Sequence, residues 1–365
     1  MMEEATSLTR ALHALLGASI QRAGGWVPFD RFMALALYAP GLGYYANHAP
    51  KFGRMPGSGS DFVTAPEMSP LFGQALAAQV ADAMDQTRCD DIWEFGAGSG
   101  ALAGQLLRAL GAKVRRYTIV DVSGTLRARQ QTALAAFAPR VEWVSELPPA
   151  LQGVVVGNEV LDAMPVKLLV RREGVWHERG VMLDAGGLPQ WDDRPTDLRP
   201  PVDIPGAHDY LTEIHPQAEA FIRTVADRLE RGAAFFIDYG FAESEYYHPQ
   251  RHMGTLMCHR AHQADVDPLS GIGLKDITAH VNFTGLAVAA QEAGLGTLGY
   301  TSQARFLMNC GLVPMLAEAS LAERVAAQRL IAEHEMGELF KVIAFHRGGF
   351  WDAPGFREGD RTHTL

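Results

Sequence analysis

The chain has few cysteines, no long apolar run and no block of basic residues, and each shortage excludes a class of function. Cys89, Cys258 and Cys310 lie far apart with no C-x-x-C spacing. Such a sparse, odd set points to reduced thiols in a cytoplasmic protein rather than a disulfide framework. No apolar run approaches the ~20 residues that cross a bilayer. The N-terminal stretch carries Glu3, Glu4 and Arg10 without a hydrophobic signal core, so neither membrane insertion nor secretion is expected. Lys and Arg number 32 against 42 Asp and Glu, for a net charge of -10, which argues against general affinity for nucleic acid phosphates. His248, His252, His259 and His262 crowd one region, but without H-E-x-x-H or paired Cys/His spacing no metal site is expected. There is no internal repeat.

What is present is 365 residues with 47% apolar content, enough to bury a large core as one elaborated domain or two. The stretch around which the chain is organised is Asp91-Ile92-Trp93-Glu94-Phe95-Gly96-Ala97-Gly98-Ser99-Gly100. It reads as a buried strand followed by a glycine loop, with helical composition from Ala101 to Leu110. Gly96, Gly98 and Gly100 remove the Cβ atoms that would keep a ligand off the backbone. The helix N-terminus adds free amide N–H groups at the same place. Gly96, Gly98 and Ala101 also satisfy G-x-G-x-x-G/A, with Asp121 following Gly96 by 25 residues, so NAD remains in contention. Glu94, two places before the first glycine, shifts the balance toward S-adenosylmethionine (SAM), whose ammonium and sulfonium suit an acid and which has no pyrophosphate.

Along the chain, periodicity predicts a helix over 6–23, a second from Phe29 to Tyr38, and a third from Leu71 to Met84. The Gly- and Ser-rich stretch 47–64 reads as a loop shaped around something. From 91 onward strands alternate with helices: strands at 91–95, 117–120, 141–144, 153–157 and 233–240, and helices at 100–110, 123–137 and 208–230. Such alternation argues for an α/β fold with a parallel sheet and ligands at its carboxyl edge. There Asp121 can accept hydrogen bonds from both ribose hydroxyls, and Asn158, Glu159 and Asp162 follow the fourth strand directly. Residues 167–194 read as a hairpin insertion, 194–206 as an exposed connection, and 241–275 as polar and irregular. A helix from 314 to 335 separates the last two strands, near 298–301 and 340–346, and the tail from Trp351 is expected to be loose. Tyr38, Tyr44 and Tyr45 are read first as packing residues.

Several stretches together resemble the MidA family of SAM-dependent methyltransferases, whose mitochondrial members assist assembly of respiratory complex I. They are residues 35–45 (Leu-Ala-Leu-Tyr-Ala-Pro-Gly-Leu-Gly-Tyr-Tyr), 61–67 (Asp-Phe-Val-Thr-Ala-Pro-Glu), the glycine loop, 158–166 (Asn-Glu-Val-Leu-Asp-Ala-Met-Pro-Val), 238–240 (Asp-Tyr-Gly) and 276–281 (Asp-Ile-Thr-Ala-His-Val). The resemblance implies a Rossmann-like, seven-stranded class I methyltransferase sheet with an N-terminal helical extension and inserted hairpin and loop segments. The expected division is an extension over 1–70, a core over 71–350 with insertions at about 167–206 and 241–282, and a flexible tail over 351–365. It further implies SAM as cofactor, held by Thr64, Pro66, Glu94, Gly96, Ala97, Gly98, Gly100, Asp121, Val122, Ser123, Asn158 and Glu159. The implied reaction is methylation of a protein arginine, on a complex I subunit or its bacterial counterpart. Glu159 and Asp162 would hold the guanidinium, Asn158 would clamp it, and His280 would stand as a proton acceptor. The expected partners are a protein substrate and a second copy in a homodimer. Two competing readings are an assembly factor that binds SAM without turnover and an NAD-dependent oxidoreductase.

Overall fold

The computed structural model describes residues 2–47, 63–121, 124–260 and 263–365. Asp61 and Phe62, the cofactor candidates Val122 and Ser123, and His262 lie outside the described residues.

Seven strands form the central sheet: β1 (Asp91–Phe95), β2 (Arg116–Val120), β3 (Val141–Val144), β4 (Leu151–Asn158), β5 (Leu229–Phe241), β6 (Gly296–Ser302) and β7 (Phe340–Arg347). Their spatial order is β6-β7-β5-β4-β1-β2-β3, with the short strand Val281–Asn282 added beside the end of β5. β1 to β5 run parallel, whereas β7 is antiparallel to both β5 and β6. Starting from β1, the chain builds outward through β2 and β3 and then returns to lay β4 on the other side. That reversal opens a crevice at the carboxyl ends of β1 and β4, where open α/β sheets bind ligands.

The middles of the strands are mostly apolar because helices cover both faces. Along β5, Ala233, Phe235 and Ile237 pack toward helices Pro70–Thr87 and Ala101–Leu110. The alternate residues Ala234 and Phe236 pack toward helices Pro216–Arg228 and Phe283–Glu292. This period of two is the sheet's side-chain alternation.

A second sheet is built from the N-terminal extension and the insertion. Val175–Leu183 lies at its centre and pairs with Val27–Pro28, Lys167–Arg172 and Pro189–Pro195; Tyr210–Ile214 completes it beside Lys167–Arg172. Its apolar face packs on helices Met2–Arg22 and Phe29–Tyr38 through Leu12, Leu16, Phe32, Met33 and Leu37. The N-terminal extension and the insertion thus share one core. A third sheet joins Gln263–Asp265, Met257–Arg260 and Asp276–Thr278.

Four expectations need correction. The helix anticipated over 208–230 is a strand, Tyr210–Ile214, followed by helix Pro216–Arg228. Pro216 has no N–H and suits only a first turn, and it keeps the residue before it out of helical backbone. The helix anticipated over 314–335 divides into Leu312–Glu318 and Leu321–Ile331, because Ser320 and Glu323 form a reciprocal capping box that starts a new helix. The region 241–275 is not wholly irregular, since Met257–Arg260 buries Cys258 between two partners. The tail from Trp351 is docked rather than loose. Trp351 donates its indole N–H to Asp82, Gly355 N donates to Gln79 Oε1, and Arg361 pairs with Glu338. Phe356 is buried against Phe306. Among the described residues no helix is long and apolar enough to cross a membrane.

The docking of the tail predicts a stability effect remote from the crevice. Phe356→Ala should lose about 3 kcal/mol, the usual cost of truncating a buried phenylalanine. Thermal or denaturant unfolding checks this, and a change below about 0.5 kcal/mol would return the tail to the loose state.

Candidate active site

A cavity of about 970 Å³ occupies the crevice. It is walled by the ends of β1, β2 and β4 below, and by the N-terminal extension and the inserted strands above.

Its lower half is built by the glycine loop. Gly96 and Gly98 both have left-handed backbone, with φ of +63° and +52°. A Cβ on Gly96 would come within 2.9 Å of Val160, so a side chain there would strain the backbone and push the next loop aside. Ala97 and Ser99 line the cavity between them; Gly100 does not, and instead caps helix Ala101–Leu110. Glu94 is buried and accepts a hydrogen bond from Tyr117 Oη at 2.7 Å. Burial, reinforced by the charge of Asp121, raises its carboxyl to about 8 in spite of that bond. Asp121 sits at the end of β2 and is held by Gln130, whose amide donates to Asp121 Oδ2 at 2.9 Å and to the Gly98 carbonyl at 3.1 Å. Trp143 Nε1–H fixes the other end of that amide at 2.9 Å. Gln130 is fully buried and joins β2, β3 and the glycine loop, yet nothing in the local sequence marks it.

The upper half is built by the segment after β4. Glu159 adopts a left-handed φ of +53°, uncommon for a residue with a side chain. Asp238, fully buried in β5 just past its pairing with β4, makes this possible. Its Oδ2 accepts from three successive amides, Val160, Leu161 and Asp162, at 3.1, 2.8 and 3.3 Å. Glu159 Oε1 accepts from Asn158 Nδ2 at 3.0 Å and from Ala65 N at 3.4 Å. Thr64 and Pro66 line the cavity beside it, and the Thr64 side chain makes no cap bond to its own helix. Asp162 Oδ2 accepts from Tyr239 Oη at 2.5 Å, while Oδ1 is buried without a hydrogen-bond partner. Burial lifts the Asp162 carboxyl to about 6. Burial together with the nearby charge of Asp162 lifts Glu159 to about 8.

His280 also lines the cavity, edge-on to Tyr239 and Phe241. Burial, aided by Arg251 and Lys341, lowers it to about 4, so the ring is neutral and a weak base. Of the other histidines, His259 borders the cavity. Tyr38 and Tyr45, expected as packing residues, and Tyr239 and Asp276, for which no role was expected, also line it.

The chemistry of the wall is one-sided. Glu94, Asp121, Glu159, Asp162 and Asp276 present five carboxyl groups, and the described lining residues include no Lys or Arg. Asn158 Oδ1, Asp162 Oδ1 and His280 Nδ1 are buried without partners. Buried polar atoms of this kind ordinarily find a partner, so the cavity is shaped for polar, cationic ligands.

Residues 75–301 match the family described as "Putative S-adenosyl-L-methionine-dependent methyltransferase". The chain belongs to this family. It is 52% identical, with a TM-score of 0.95, to a Burkholderia thailandensis "likely methyl transferase" solved with S-adenosyl-homocysteine; the match covers 99% of this chain and 98% of that one. "Protein arginine methyltransferase NDUFAF7, mitochondrial" of Xenopus tropicalis is 27% identical over 88% of this chain and 82% of its own length. Its Caenorhabditis elegans homolog is 25% identical over 88% and 83%. The protein is thus a SAM-dependent methyltransferase with the seven-stranded sheet anticipated from its sequence. The oxidoreductase reading finds no support.

Asp238 offers a direct check of how the upper half is held. Asp238→Ala leaves three buried amides without their acceptor and should cost about 3 kcal/mol or more. Denaturant unfolding reads the loss, and an unchanged midpoint would show that the clamp is dispensable.

Proposed function

We propose that the protein methylates a protein arginine, with the donor held over the glycine loop and the acceptor guanidinium held by Glu159 and Asp162. The observation that carries this reading is the pairing of buried Asp162 with half-buried Glu159 on the wall of a nucleoside-type crevice whose described lining has no Lys or Arg. Asp121 would take the ribose, and Glu94 the ammonium of the methionine end; Ala97, Gly98 and Pro66 would enclose the rest. SAM supplies an electrophilic methyl group on a sulfonium. A guanidinium stays protonated near neutral pH and is a weak nucleophile until it is held and relieved of its proton. Glu159 and Asp162 can grip it through charge-assisted hydrogen bonds, fix one nitrogen, and receive the proton released as the N–C bond forms. His280 is too weak a base for that task, so the carboxylates take it. Asn158 would keep Glu159 aimed. The resemblance to mitochondrial arginine methyltransferases, as their names describe them, supports this acceptor class, with a complex I subunit or its bacterial counterpart as the candidate protein.

The primary test is incubation of a matched lysate with methyl-labelled SAM and this protein, followed by mass spectrometry of the modified residue. Label on arginine is the expected outcome. Label confined to a small molecule or a nucleic acid removes the arginine claim and leaves the cofactor intact. Glu159→Gln should lower kcat by about 100-fold or more while the protein still binds S-adenosyl-homocysteine. Full turnover in that variant would remove Glu159 from its role.

The pH dependence follows from the raised carboxyl groups. Glu159 feels the charges of Asp162, Glu67 and Asp238, and Asp162 those of Glu159 and Asp238 beside the hydroxyls of Tyr239, Tyr38 and Tyr45. Protonated, Glu159 and Asp162 cannot hold a cation. Acceptor kcat/KM should therefore be highest above about pH 8 and fall as pH drops through about 8 and then 6, the values of the acceptor-free protein. Glu159→Gln should erase the upper step. A flat profile between pH 6 and 8 would contradict the assignment.

A further inference from the structure

The segment that closes the cavity from above is folded for a purpose its packing alone does not explain. After helix Phe29–Tyr38 the chain doubles back: Tyr44 N donates to Ala36 O and Tyr45 N to Leu37 O, both at 2.8 Å. Gly43 lies where a Cβ would come within 2.5 Å of Ala39 N, so the turn closes only with glycine. The result stacks Tyr45 on Tyr38, with ring centroids 5.6 Å apart and planes 19° apart, and Tyr44 braces Tyr45 edge-on at 5.0 Å. Both stacked tyrosines line the cavity. Their hydroxyls are anchored in different elements. Tyr38 Oη donates to the Ala163 carbonyl at 2.8 Å, and Tyr45 Oη donates to Asp276 Oδ2 at 2.8 Å. Asp276 Oδ1 in turn accepts from Ile277 N at 2.9 Å, so this carboxylate is held in one orientation. Asp162, one residue before Ala163, completes the cluster, and its Oδ1 is buried and without a partner on the cavity wall.

We propose that Tyr38, Tyr45 and Asp276, with Asp162 at the inner end, form the recognition slot for the acceptor's head group and select a planar guanidinium over an ammonium. The proposal rests on the arginine reading above and adds the residues that discriminate. The reason is chemical. A guanidinium is flat, delocalised and weakly hydrated, so it stacks on aromatic faces while its edge donates to carboxylates. An ammonium is a compact, strongly hydrated point charge that gains less from a ring face and cannot present a fork to a carboxylate. Ring faces and fixed carboxylates on one wall match the first and not the second. None of Tyr38, Tyr45 and Asp276 belongs to the seven-stranded sheet. Donor chemistry and acceptor choice are thus carried by different parts of the chain.

The test uses the full-length protein loaded with S-adenosyl-homocysteine, so that binding is read without turnover. Acetyl-arginine methylamide and acetyl-lysine methylamide are titrated separately by NMR. Wild type should bind the arginine probe at least about tenfold more tightly. Tyr45→Leu and Asp276→Asn should each bring the two probes to within about twofold of each other, and Tyr45→Phe should keep most of the preference because the ring remains. S-adenosyl-homocysteine affinity, measured alongside, reports that each variant is folded. Variants that bind this ligand normally and retain the full arginine preference would overturn the slot while leaving the arginine reading in place. A wild type that does not distinguish the probes would overturn both.

Discussion

The geometry of the cavity depends on one buried carboxylate. Asp238 follows the last residue of β5 that pairs with β4 and accepts from three consecutive amides of the segment after β4. Without it those amides would be buried and unpaired, a cost comparable to a large share of a domain's net stability. With it, the segment can hold Glu159 in a left-handed conformation and direct Asp162 to the wall. Adjacent parallel strands therefore do more than build a sheet, since a residue of one organises the loop leaving the other.

The cavity combines two problems that most interiors avoid, unpaired polar atoms and carboxyl groups crowded out of water. Each raises the free energy of the ligand-free protein, and a cation relieves both. Glu94 is raised by burial and by Asp121 in the lower half, and Glu159 by burial and by Asp162 in the upper half. The same electrostatic device thus recurs in both halves of the cavity. Strain and desolvation stored in this way are maintained by the rest of the fold, whose strands and covering helices meet in two apolar cores.

Legibility in the sequence followed the range of the interactions. The strand, glycine loop and helix around 91–110 could be read because each residue's reason lies within a few positions. Glu94, Asp121 and the acids after β4 were readable because parallel sheets present strand ends to ligands. By contrast, Tyr210–Ile214 was mistaken for helix, since its strand character comes from pairing with Lys167–Arg172 about forty to forty-seven residues earlier. The tail was mistaken for a loose end because its partners, Gln79, Asp82 and Phe306, are remote in sequence. Gln130 left no trace at all, as a glutamine on a helix acquires meaning only from what surrounds it.

By itself the sequence determined the architecture and the donor: an α/β sheet ordered around β1, a glycine loop that admits a nucleoside, and acids at the strand ends. These rest on backbone geometry and local charge, which residue types and spacing encode directly. Only the tertiary structure decided what stands opposite the donor. Tyr38, Tyr45, Asp162 and Asp276 come from three separate stretches, and Tyr38 and Tyr45 alone look like ordinary packing residues. They become one wall because the N-terminal helices and the inserted strands share a core, and a core is formed by complementary surfaces that no single stretch contains.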